Sequence, residues 1–516
     1  MDALPLVRRP DARLGAFVTT RAGTLSLLGA LVALSLVLRT RAIGAGFWID
    51  EGLSVGISSH HLTAIPHLLR EDGSPPLYYL LLHGWMAAFG SSEAQTHALS
   101  LVFALLTIPA AFWAVDGVFG RRAGWIAAGL AALDPFLTAY AQETRMYTLV
   151  ALLSIVAAGA FVHAFVFRRR AYLPAFAATL VVLLYTHNWG LFFAGGALAA
   201  LGYLLTQSDD RRGLALDGAL AFGAVALLFA PWVPTLAYQV AHTGAPWSTP
   251  PSPAQLLGGP AFIAAGDGAA MALILAGGTG IAALLRRERG RERTAVVATI
   301  VLVVATVLFA WIASQISPAW ANRYLAVVLG PFVLFLAAGL VRGGRLAVVA
   351  LALVAVFWLA YQAPDEKSNV EKVAAKVAPR LEPGDLVIST HPEQIPVLHY
   401  YLPPGLRYAN EMGPVADPTV MDWRDAVARL RATRPQTDLE PLLDRLPVGG
   451  RILFIRPIFD RRGWQAPWTS LVRIRSGQWA RALRTDNRFV GSANLRGSKE
   501  SFKGVVARLF TKVRSH

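Results

Sequence analysis

Apolar segments of about 20 residues recur along the first 361 residues of the chain and are separated by short polar turns. A helix needs about 20 apolar residues to cross the hydrocarbon core of a bilayer. The first segment is followed by more of the same kind and lacks a small-residue cleavage site, so we interpret it as an uncleaved span. The pattern predicts eleven transmembrane helices, at 22–42, 95–118, 123–139, 144–167, 171–188, 190–206, 214–236, 268–285, 294–314, 324–341 and 345–361.

A further apolar segment, PLYYLLLHGWMAAFG at 76–90, is short and is predicted to lie on the outer surface of the membrane. Basic residues support this choice, because they stay on the cytoplasmic side when loops are short. With 76–90 outside, the inner side holds the arginine clusters within 8–21, 121–122, 168–170, 211–212, 286–293 and 342–345. Before residue 362, the outer side keeps only Arg39, Arg41, Arg70, Arg145 and Arg323. The N terminus is therefore predicted inside and the C-terminal part outside.

The composition changes after residue 362, and the remainder contains every lysine of the chain. Helical patterns such as NVEKVAAKVAPRL alternate with strand-like ones such as DLVIST and RILFIRP, which predicts an α/β domain. The stretch from about 480 onward is basic and weakly patterned, which predicts a mobile tail or one lying on anionic lipid headgroups. The predicted fold class is a polytopic α-helical membrane domain at 1–362, with its first outer loop at 43–94, and a soluble extracytoplasmic α/β domain at 363–516.

Composition agrees with a membrane protein. Of 516 residues, 55% are hydrophobic and 16% charged, and the mean hydropathy is +0.47. The formal net charge of +16 falls in short clusters between apolar runs, so it indicates orientation in the bilayer and predicts no nucleic-acid partner. The chain has no cysteine, which excludes disulfides and thiol catalysis. Neither a zinc-like spacing nor a glycine-rich phosphate loop occurs in it.

Polar residues collect in the loops predicted to lie outside. Asp50 and Glu51 stand in FWIDEG at 47–52. Three later outer connections also offer polar and ionisable groups, in DPFLTAYAQETRMY at 134–147, YTHNWG at 185–190 and SPAWANRY at 317–324. Charged groups beside hydrocarbon are costly unless they pair or bind a ligand. Their joint occurrence near one level favours a functional site.

Each of these residues also has an ordinary structural explanation. His187 alone is typical of an interfacial histidine, and Asp134 beside a proline is typical of a helix cap at a kink. Arg323 at the start of a span is typical of a membrane anchor, while Trp48 and Tyr140 suit an interfacial aromatic belt. The hypothesis of a site therefore depends on the set and not on any single member.

The order of these motifs resembles that of the GT-C glycosyltransferases, especially the protein-mannosyltransferase and aminoarabinose-transferase group. The motifs are WIDEG, GSPPLYYLLLHGWMAAFGSSE, GRRAGWIAAGLAAL, YAQETRMY, YTHNWG and NRYLAVVLGPF, and they cover roughly the first 340 residues. The resemblance implies an inverting enzyme that moves a sugar of mannose or arabinose type from a polyprenyl-phosphate donor. It also implies a glycan, lipid or protein acceptor, and a multi-pass enzyme of the plasma membrane acting on its extracytoplasmic side, in contact with membrane lipids.

The resemblance assigns roles to individual residues. The family's first-loop acid falls on Asp50, its second acidic motif on Glu143, and an Arg-Tyr pair at the start of a late span on Arg323 and Tyr324. Some relatives carry Asp-x-Asp or Asp-x-Glu at this place, whereas the stretch here is Gln142, Glu143, Thr144 and Arg145, so that one acid of the pair is missing. No cofactor is therefore assigned with certainty, and a divalent metal ion stays open, with Asp50 and Glu143 as its candidate ligands.

The chemistry of sugar transfer favours the same residue types. An acceptor hydroxyl is a poor nucleophile at neutral pH, so a carboxylate must take its proton as the bond to C1 forms, and Asp50 is the predicted base. The leaving phosphate needs no general acid, but its charge must be met, which suits the guanidinium groups of Arg145 and Arg323. The predicted substrate-binding residues are Glu51, Tyr140, Gln142, Glu143, Arg145, His187, Arg323 and Tyr324.

Successive side chains of an extended chain point to opposite sides. If 47–52 is extended, Asp50 faces the acceptor, while Glu51 is packed away or reaches groups on the donor side. The two carboxylates are therefore predicted to have different roles.

Two other classes of protein remain alternatives. A transporter or lipid flippase also has many spans and outer charges, but it typically places ionisable groups near the bilayer midplane, commonly in repeated halves. No internal repeat is evident, and Asp116 and Asp134 lie toward the ends of spans. A non-catalytic subunit of the same fold is the other alternative, and loss of the acid at position 50 would be its sign.

Overall fold

A computed structural model describes residues 20–286, 290–459, 463–496 and 504–515. Within these residues, eight helical runs are long and apolar enough to cross a membrane. They are Arg21–Arg39, Glu93–Phe119, Tyr147–Val166, Gly190–Gln207, Arg211–His242, Asp267–Leu285, Arg291–Ile316 and Asn322–Leu340. The described chain is thus that of a multi-span helical protein. The predicted inner-side residues outside the described ranges are Arg8, Arg9, Arg13, Arg287 and Arg289.

The N-terminal part, up to residue 360, is helical throughout its described length. Short 3₁₀ or π-helical turns extend some helices, at Val162–Val166, Arg170–Tyr172, Ala230–Trp232 and Asn322–Leu325. The helices are α1 (Arg21–Arg39), α2 (Ile49–Ser58), α3 (Ile65–Asp72), α4 (Leu77–Phe89), α5 (Glu93–Phe119), α6 (Arg121–Leu133), α7 (Pro135–Tyr140), α8 (Tyr147–Phe161), α9 (Leu173–Thr186), α10 (Gly190–Gln207), α11 (Arg211–Phe229), α12 (Val233–His242), α13 (Pro253–Leu257), α14 (Gly259–Ile263), α15 (Asp267–Leu285), α16 (Arg291–Ile316), α17 (Ala326–Leu340) and α18 (Gly344–Ala360).

Three predicted spans fall on shorter helices. The spans at 171–188 and 345–361 correspond to the apolar helical runs Arg170–Thr186 and Gly344–Ala360. The span at 123–139 was predicted as one helix, and this is wrong, because α6 ends at Leu133 and α7 begins at Pro135. Pro135 has no N–H for the helical ladder, and the Asp134 carboxylate accepts a hydrogen bond from the Leu137 N–H at 2.9 Å. The total of eleven spans stays a prediction.

The segment at 76–90 forms α4, a helix of 13 residues. At about 1.5 Å per residue such a helix is shorter than the roughly 30 Å hydrocarbon core. Its Tyr78, Tyr79 and Leu82 are buried, and the Tyr78 hydroxyl lies 3.2 Å from Ser100 Oγ of α5. The helix therefore packs against the first loop and the bundle.

Small residues allow close approach between helices in the bundle. Gly330 of α17 lies against the backbone of Ser154 in α8, and its N–H donates to Ser154 Oγ at 3.0 Å. Gly339 of α17 meets Gly277 and Gly280 of α15 in the same way. A Cβ at these glycines would collide with neighbouring backbone, so the spacing of these helices depends on glycine.

The C-terminal part contains one sheet in the order β3-β2-β1-β4-β7-β5, with β6 also paired to β7. β1 pairs in parallel with β2 and β4, and the remaining pairs are antiparallel. This confirms the predicted α/β class of the C-terminal domain. The strands are β1 (Leu386–Ser389), β2 (Arg407–Asn410), β3 (Gly413–Val415), β4 (Arg451–Pro457), β5 (Phe489–Gly491), β6 (Leu495–Arg496) and β7 (Val505–Lys512).

The prediction of a mobile or lipid-bound tail from about 480 is wrong for the described residues 480–496 and 504–515, most of which lie in a helix or in β5, β6 and β7. β7 lies between β4 and β5 inside the sheet, with Arg451 opposite Thr511 and Pro457 opposite Val505. Burial of Val505, Ala507 and Phe510 against the sheet outweighs the weak local pattern. Residues 497–503 of the predicted tail lie outside the described part of the chain.

Helices cover both faces of this sheet. Val373 and Val377 pack on one face, while Leu443 and Trp479 pack on the other. A buried polar contact joins the start of this domain to its last strand. The Asn369 side chain donates to the Val505 carbonyl and accepts from the Val505 N–H. The helices are α19 (Val370–Val377), α20 (Ile395–Tyr401), α21 (Ala426–Ala432), α22 (Glu440–Asp444) and α23 (Pro467–Thr485).

The C-terminal domain sits directly on the first loop. Val397 of α20 packs against Gly52 of α2, where a Cβ would have no room. The Tyr401 hydroxyl accepts from the Phe47 N–H at 2.7 Å and donates to the Glu93 carboxylate at 2.8 Å. The first loop is therefore held between the helix bundle and the sheet domain, on the side that is here called the domain face.

Candidate functional site

A cavity of about 610 Å³ opens at the domain face. This volume lies within the range of about 300–1,000 Å³ that is usual for small-molecule sites. The bundle and first loop contribute the start of α2, the turn after α3, the turn between α9 and α10, and the segment before α17. The C-terminal domain contributes the turn after β1, the end of β4 and the region before α23. The cavity is thus formed jointly by both parts of the chain.

Asp50 lies in the first turn of α2 and lines the cavity. Its Oδ2 atom is 3.4 Å from Arg323 Nη2 and 3.9 Å from Arg145 Nη2. The three side chains are 18%, 24% and 12% exposed, so each is mostly buried and still reachable from the cavity. One carboxylate and two guanidinium groups therefore face a shared space.

Arg323 is held by aromatic groups in the 3₁₀ turn that precedes α17. Its Nε donates to the Tyr147 hydroxyl at 2.8 Å. Its guanidinium carbon lies 5.5 to 5.6 Å from the ring centres of Trp48, Trp247 and Tyr324. Such cation–π contacts fix the plane of the guanidinium fork while leaving some of its N–H groups for another partner.

Arg145 is anchored to the first loop. Its Nη1 donates to Ser54 Oγ at 3.0 Å and to the Asp50 carbonyl at 3.2 Å. The Ser54 hydroxyl itself donates to the same carbonyl at 2.8 Å. Arg145 thus couples the turn before α8 to the helix that carries Asp50.

Glu51 points away from the cavity into a buried ion network. Its Oε1 lies 2.6 Å from His97 Nε2 and 2.7 Å from Lys367 Nζ, and it accepts from the Thr144 N–H at 2.8 Å. Burial alone raises its pKa, but the charges and hydrogen bonds of Lys367 and His97 act more strongly together and lower it to about 2. Glu51 is therefore a structural anion that ties the first loop, α5 and the interdomain linker.

The segment 47–52 was expected to be extended, and this is wrong from Ile49 onward, where α2 begins. The two carboxylates diverge nonetheless, since successive residues of a helix point about 100° apart. Trp48 caps the helix, and its N–H donates to Glu51 Oε2 at 3.2 Å. This bond adds to the forces that turn Glu51 inward and leave Asp50 at the cavity.

His187 and Tyr324 both line the cavity beside the two arginines. Their rings meet edge to face, with centres 4.6 Å apart. His187 Nδ1 accepts a hydrogen bond from the Trp189 N–H at 3.1 Å, which fixes the imidazole at the turn between α9 and α10. The structure therefore brings Asp50, Arg145, His187, Arg323 and Tyr324 together.

The structure does not bring Tyr140, Gln142 and Glu143 to the cavity lining. Tyr140 packs against Phe136 with the rings tilted by 51° and their centres 4.5 Å apart. Gln142 is buried, accepts from the Ala42 N–H and donates to the Thr138 carbonyl. Through these contacts, Gln142 connects the turn after α1 to α7.

Asp72 is a cavity residue that the sequence reasoning missed. It ends α3, and Gly73 continues the chain in the left-handed region at φ 103°. Burial raises its pKa to about 6, although a hydrogen bond from Ser74 and the charge of Arg145 act in the opposite direction. A carboxyl group with such a pKa exchanges its proton near neutral pH. Its position directly before GSPP, the start of a motif that carried the resemblance, was the available signal.

The C-terminal domain contributes further lining residues that sequence reasoning did not assign. They belong to separate turns of an α/β domain, so no short motif unites them. The aromatic and ionisable ones are His391, Glu393, Trp423 and Trp464.

The two candidate metal ligands, Asp50 and Glu143, do not meet at the cavity. Among the described ranges, no three His, Asp or Glu residues lie close enough together to hold an ion. Glu143, the other candidate ligand, does not line the cavity with Asp50. The Asp50 carboxylate already has two cationic neighbours, because the guanidinium groups of Arg323 and Arg145 lie 3.4 Å and 3.9 Å from its Oδ2 atom.

No protein-family model matches this sequence, and no curated protein sequence matches it. Solved structures do resemble it. ArnT from Cupriavidus metallidurans in the apo state aligns with 94% of this chain and 98% of its own, at a TM-score of 0.61 and 13% identity. The same protein bound to undecaprenyl phosphate aligns with 95% of this chain and 98% of the ArnT chain. The TM-score is 0.61 and the sequence identity is 15%.

A more distant likeness is to the archaeal oligosaccharyltransferase AglB from Archaeoglobus fulgidus, solved with an inhibitory peptide and a dolichol-phosphate. It aligns with 73% of this chain and 63% of its own, at a TM-score of 0.51 and 12% identity. Together these likenesses show that the chain shares the fold of ArnT and AglB, the GT-C fold. The ArnT alignment covers 94% of this chain or more, so it includes most of the C-terminal domain as well as the helix bundle.

Proposed function

We propose that this chain is an inverting glycosyltransferase that moves a sugar from a polyprenyl-phosphate donor to a cell-envelope acceptor. The observation that carries the proposal is the placement of the Asp50 carboxylate with the guanidinium groups of Arg145 and Arg323 at one cavity. The fold supports it, since ArnT has been solved with undecaprenyl phosphate and AglB with dolichol-phosphate. The motif resemblance supports a donor sugar of mannose or arabinose type. It also supports an acceptor that is a glycan, a lipid or a protein.

In this proposal Asp50 is the general base. The acceptor oxygen attacks C1 of the donor sugar as the bond from C1 to the phosphate oxygen breaks on the opposite face, which inverts the configuration. The hydroxyl proton passes to Asp50 Oδ1 or Oδ2, so that no oxonium ion builds up. The short helix α2, held by Ser54 and by Glu51, keeps the carboxylate in place for this transfer.

The two arginines meet the charge that develops on the leaving polyprenyl phosphate. Phosphate departs as an anion without a general acid, so stabilisation of charge is the larger requirement. Arg323 and Arg145 both offer N–H groups beside Asp50, and a forked guanidinium binds phosphate oxygens in pairs. Asp50 balances their charge before the donor arrives.

The domain face is proposed to lie on the extracytoplasmic side of the plasma membrane. Arg122, Arg211, Arg212 and Arg293 all belong to turns or helix starts at the opposite end of the bundle. The connection between α12 and α15, which contributes to the cavity, contains no lysine or arginine. This asymmetry supports the orientation, because short basic loops remain in the cytoplasm.

The test is a transfer assay on the purified full-length protein. Polyprenyl-phosphate mannose and polyprenyl-phosphate arabinose, each radiolabelled in the sugar, are incubated with a panel of cell-envelope glycans, lipids and proteins. We expect donor-dependent labelling of one acceptor class by the wild type and its loss in Asp50→Asn. The rate is expected to stay unchanged with EDTA or added Mg²⁺. No transfer from either donor, together with substrate-coupled transport in vesicles, would favour a transporter instead.

A further inference from the structure

The C-terminal domain supplies one wall of the cavity, and four of its side chains define what is here called the domain wall: His391, Glu393, Trp423 and Trp464. We propose that the domain wall binds the acceptor and that this acceptor is an uncharged carbohydrate, one hydroxyl group of which receives the transferred sugar. This inference rests on the proposed glycosyltransferase function and names the chemical class of its acceptor.

Glu393 and His391 form a buried polar pair in the turn after β1. Glu393 Oε1 lies 2.7 Å from His391 Nε2, and Glu393 Oε2 accepts from Trp468 Nε1 at 2.6 Å. The turn itself is held because Ser389 Oγ donates to the His391 carbonyl at 2.9 Å. The carboxylate is therefore fixed in position, and each of its oxygens retains a lone pair for a further donor.

His391 leaves one hydrogen-bonding group without a partner. Its side chain is 5% exposed and its Nδ1 atom makes no hydrogen bond within the part of the chain that the structure describes. A buried polar atom without a partner is costly, so a ligand that supplies one binds favourably here. A sugar hydroxyl can donate to a neutral Nδ1 or accept from a protonated one, so it suits either state of the imidazole.

The two tryptophans of the domain wall line the cavity together with this polar pair. The Trp464 ring lies 5.2 Å from the His391 ring and 5.8 Å from the Phe459 ring. Trp423 meets Trp468 edge to face at 5.1 Å. Pyranose and furanose rings carry C–H groups on their faces and hydroxyls on their edges. They therefore match a surface that combines indole rings with hydrogen-bonding groups.

The charge of the domain wall argues against a phosphorylated or carboxylated acceptor. Within the described residues, the C-terminal domain lines the cavity with the Glu393 carboxylate and with no lysine or arginine. The two cavity guanidinium groups belong to Arg145 and Arg323, beside Asp50, where they are assigned to the donor phosphate. An anionic acceptor group bound beside Glu393 would meet the like charge of its carboxylate, whereas an uncharged polyol would not.

The test measures binding directly, without turnover, on the full-length Asp50→Asn protein in detergent. The probes are mannotetraose, arabinotetraose, mannotetraose 6-phosphate and a serine- and threonine-containing peptide, and calorimetric titration gives the Kd of each. We expect a neutral tetrasaccharide to bind at least tenfold more tightly than its phosphorylated form. Adding Glu393→Gln is expected to weaken that binding about tenfold, as loss of a charged hydrogen-bond partner does. Glu440→Gln, on the exposed start of α22, is the matched control and should leave the Kd unchanged.

A second pair of variants separates stacking from folding. Trp464→Ala should weaken saccharide binding about tenfold, and Trp464→Phe, which keeps an aromatic ring, should recover much of it. An unchanged Kd in both Glu393→Gln and Trp464→Ala would overturn the inference, and so would tighter binding of the phosphorylated probe or of the peptide. Melting temperatures are recorded alongside, so that a variant that fails to fold is replaced by its conservative partner.

The two proposals fail in different ways. Saccharide binding that depends on the domain wall, without transfer from any polyprenyl-phosphate donor by the wild type, would overturn the proposed function and leave the domain wall as a carbohydrate site. Transfer to a phosphorylated lipid or a peptide, without saccharide binding, would overturn the acceptor class and leave the glycosyltransferase function intact.

Discussion

Arg323 Nη2 lies 3.4 Å from Asp50 Oδ2, at the wall of a cavity that Arg145, His187 and Tyr324 also line. Asp50 lies in the first turn of α2 in the first loop, whereas Arg323 lies in the 3₁₀ turn that starts one of the last apolar helical runs. Their contact joins a candidate base to a candidate phosphate ligand. It also explains how either charge is tolerated near hydrocarbon before a donor binds, since each is the other's counter-ion.

Asp50→Asn keeps the size and hydrogen-bonding shape of the side chain and removes the base. We expect the rate of sugar transfer to fall roughly a hundredfold or more, the usual scale for loss of a general base. Donor binding should persist, because Arg145 and Arg323 remain. The comparison is with Asp209→Asn, an exposed loop residue on the opposite face. Near-normal turnover in Asp50→Asn would assign the base elsewhere, with Asp72 as the next carboxyl to replace.

Arg323→Lys keeps the charge but loses the planar fork and its stacking on Trp48, Trp247 and Tyr324. Transfer activity and donor affinity should both fall about tenfold or more, while the melting temperature changes little. Arg122→Lys, exposed at the opposite face, is the control. If the lysine variant matched the wild type in donor affinity and rate, Arg323 would be only a membrane anchor.

Glu51→Gln tests the buried ion network. The substitution leaves the Lys367 ammonium and the His97 ring buried without their anion, so we expect the free energy of unfolding to fall by about 3 kcal/mol or more. The melting temperature in detergent measures this loss. Combining Glu51→Gln with Lys367→Met should recover part of it, because the unpaired cation is then removed. A stable Glu51→Gln protein without activity would instead give Glu51 a direct role in the reaction.

Glu411, in the turn between β2 and β3, should make stability depend on pH. Burial, and after it the charge of Glu393, raises its pKa from 4.5 to about 8, against the opposing charge of Arg475. The folded state binds this proton more tightly than the unfolded state, so the free energy of unfolding falls as pH rises from about 4.5 to about 8. The slope is at most about 1.4 kcal/mol per pH unit.

Melting temperatures of the wild type and Glu411→Gln between pH 5 and pH 9 check this sign. The variant cannot lose a proton at this position, so its melting temperature should decline less toward alkaline pH. Parallel pH profiles would show that Glu411 does not titrate in this range.

The proposed orientation of the protein in the membrane can be tested by labelling single introduced cysteines, because the chain contains no cysteine. Ser91→Cys and Thr485→Cys are exposed on the first loop and the C-terminal domain, and Ser208→Cys lies in the turn between α10 and α11. An impermeant thiol reagent should label the first two in intact cells and label the third only after lysis. The reverse pattern would place the domain face in the cytoplasm.

Local patterns were sufficient where one property decides the outcome. Eight of the eleven predicted spans fall on helical runs long enough to cross a membrane, and the strand-like stretches DLVIST and RILFIRP predicted two strands of the sheet. Local patterns failed where contacts between residues far apart in the chain decide the structure. The helix at 123–139 breaks at Asp134 and Pro135, and the weakly patterned end of the chain becomes β7 because β4 and β5 offer it partners on both sides.

By itself, the sequence determined that this is a multi-span helical protein with an α/β domain, and that acids and arginines gather in particular loops. These properties depend on hydropathy and residue type, which are local. Only the tertiary structure decided that Asp50 faces the cavity while Glu51 is buried against Lys367. It also decided that Gln142 connects two segments of the bundle and that Asp72 joins the site. Such partnerships are formed by packing between segments far apart in the chain, and no local pattern encodes which side chains will meet.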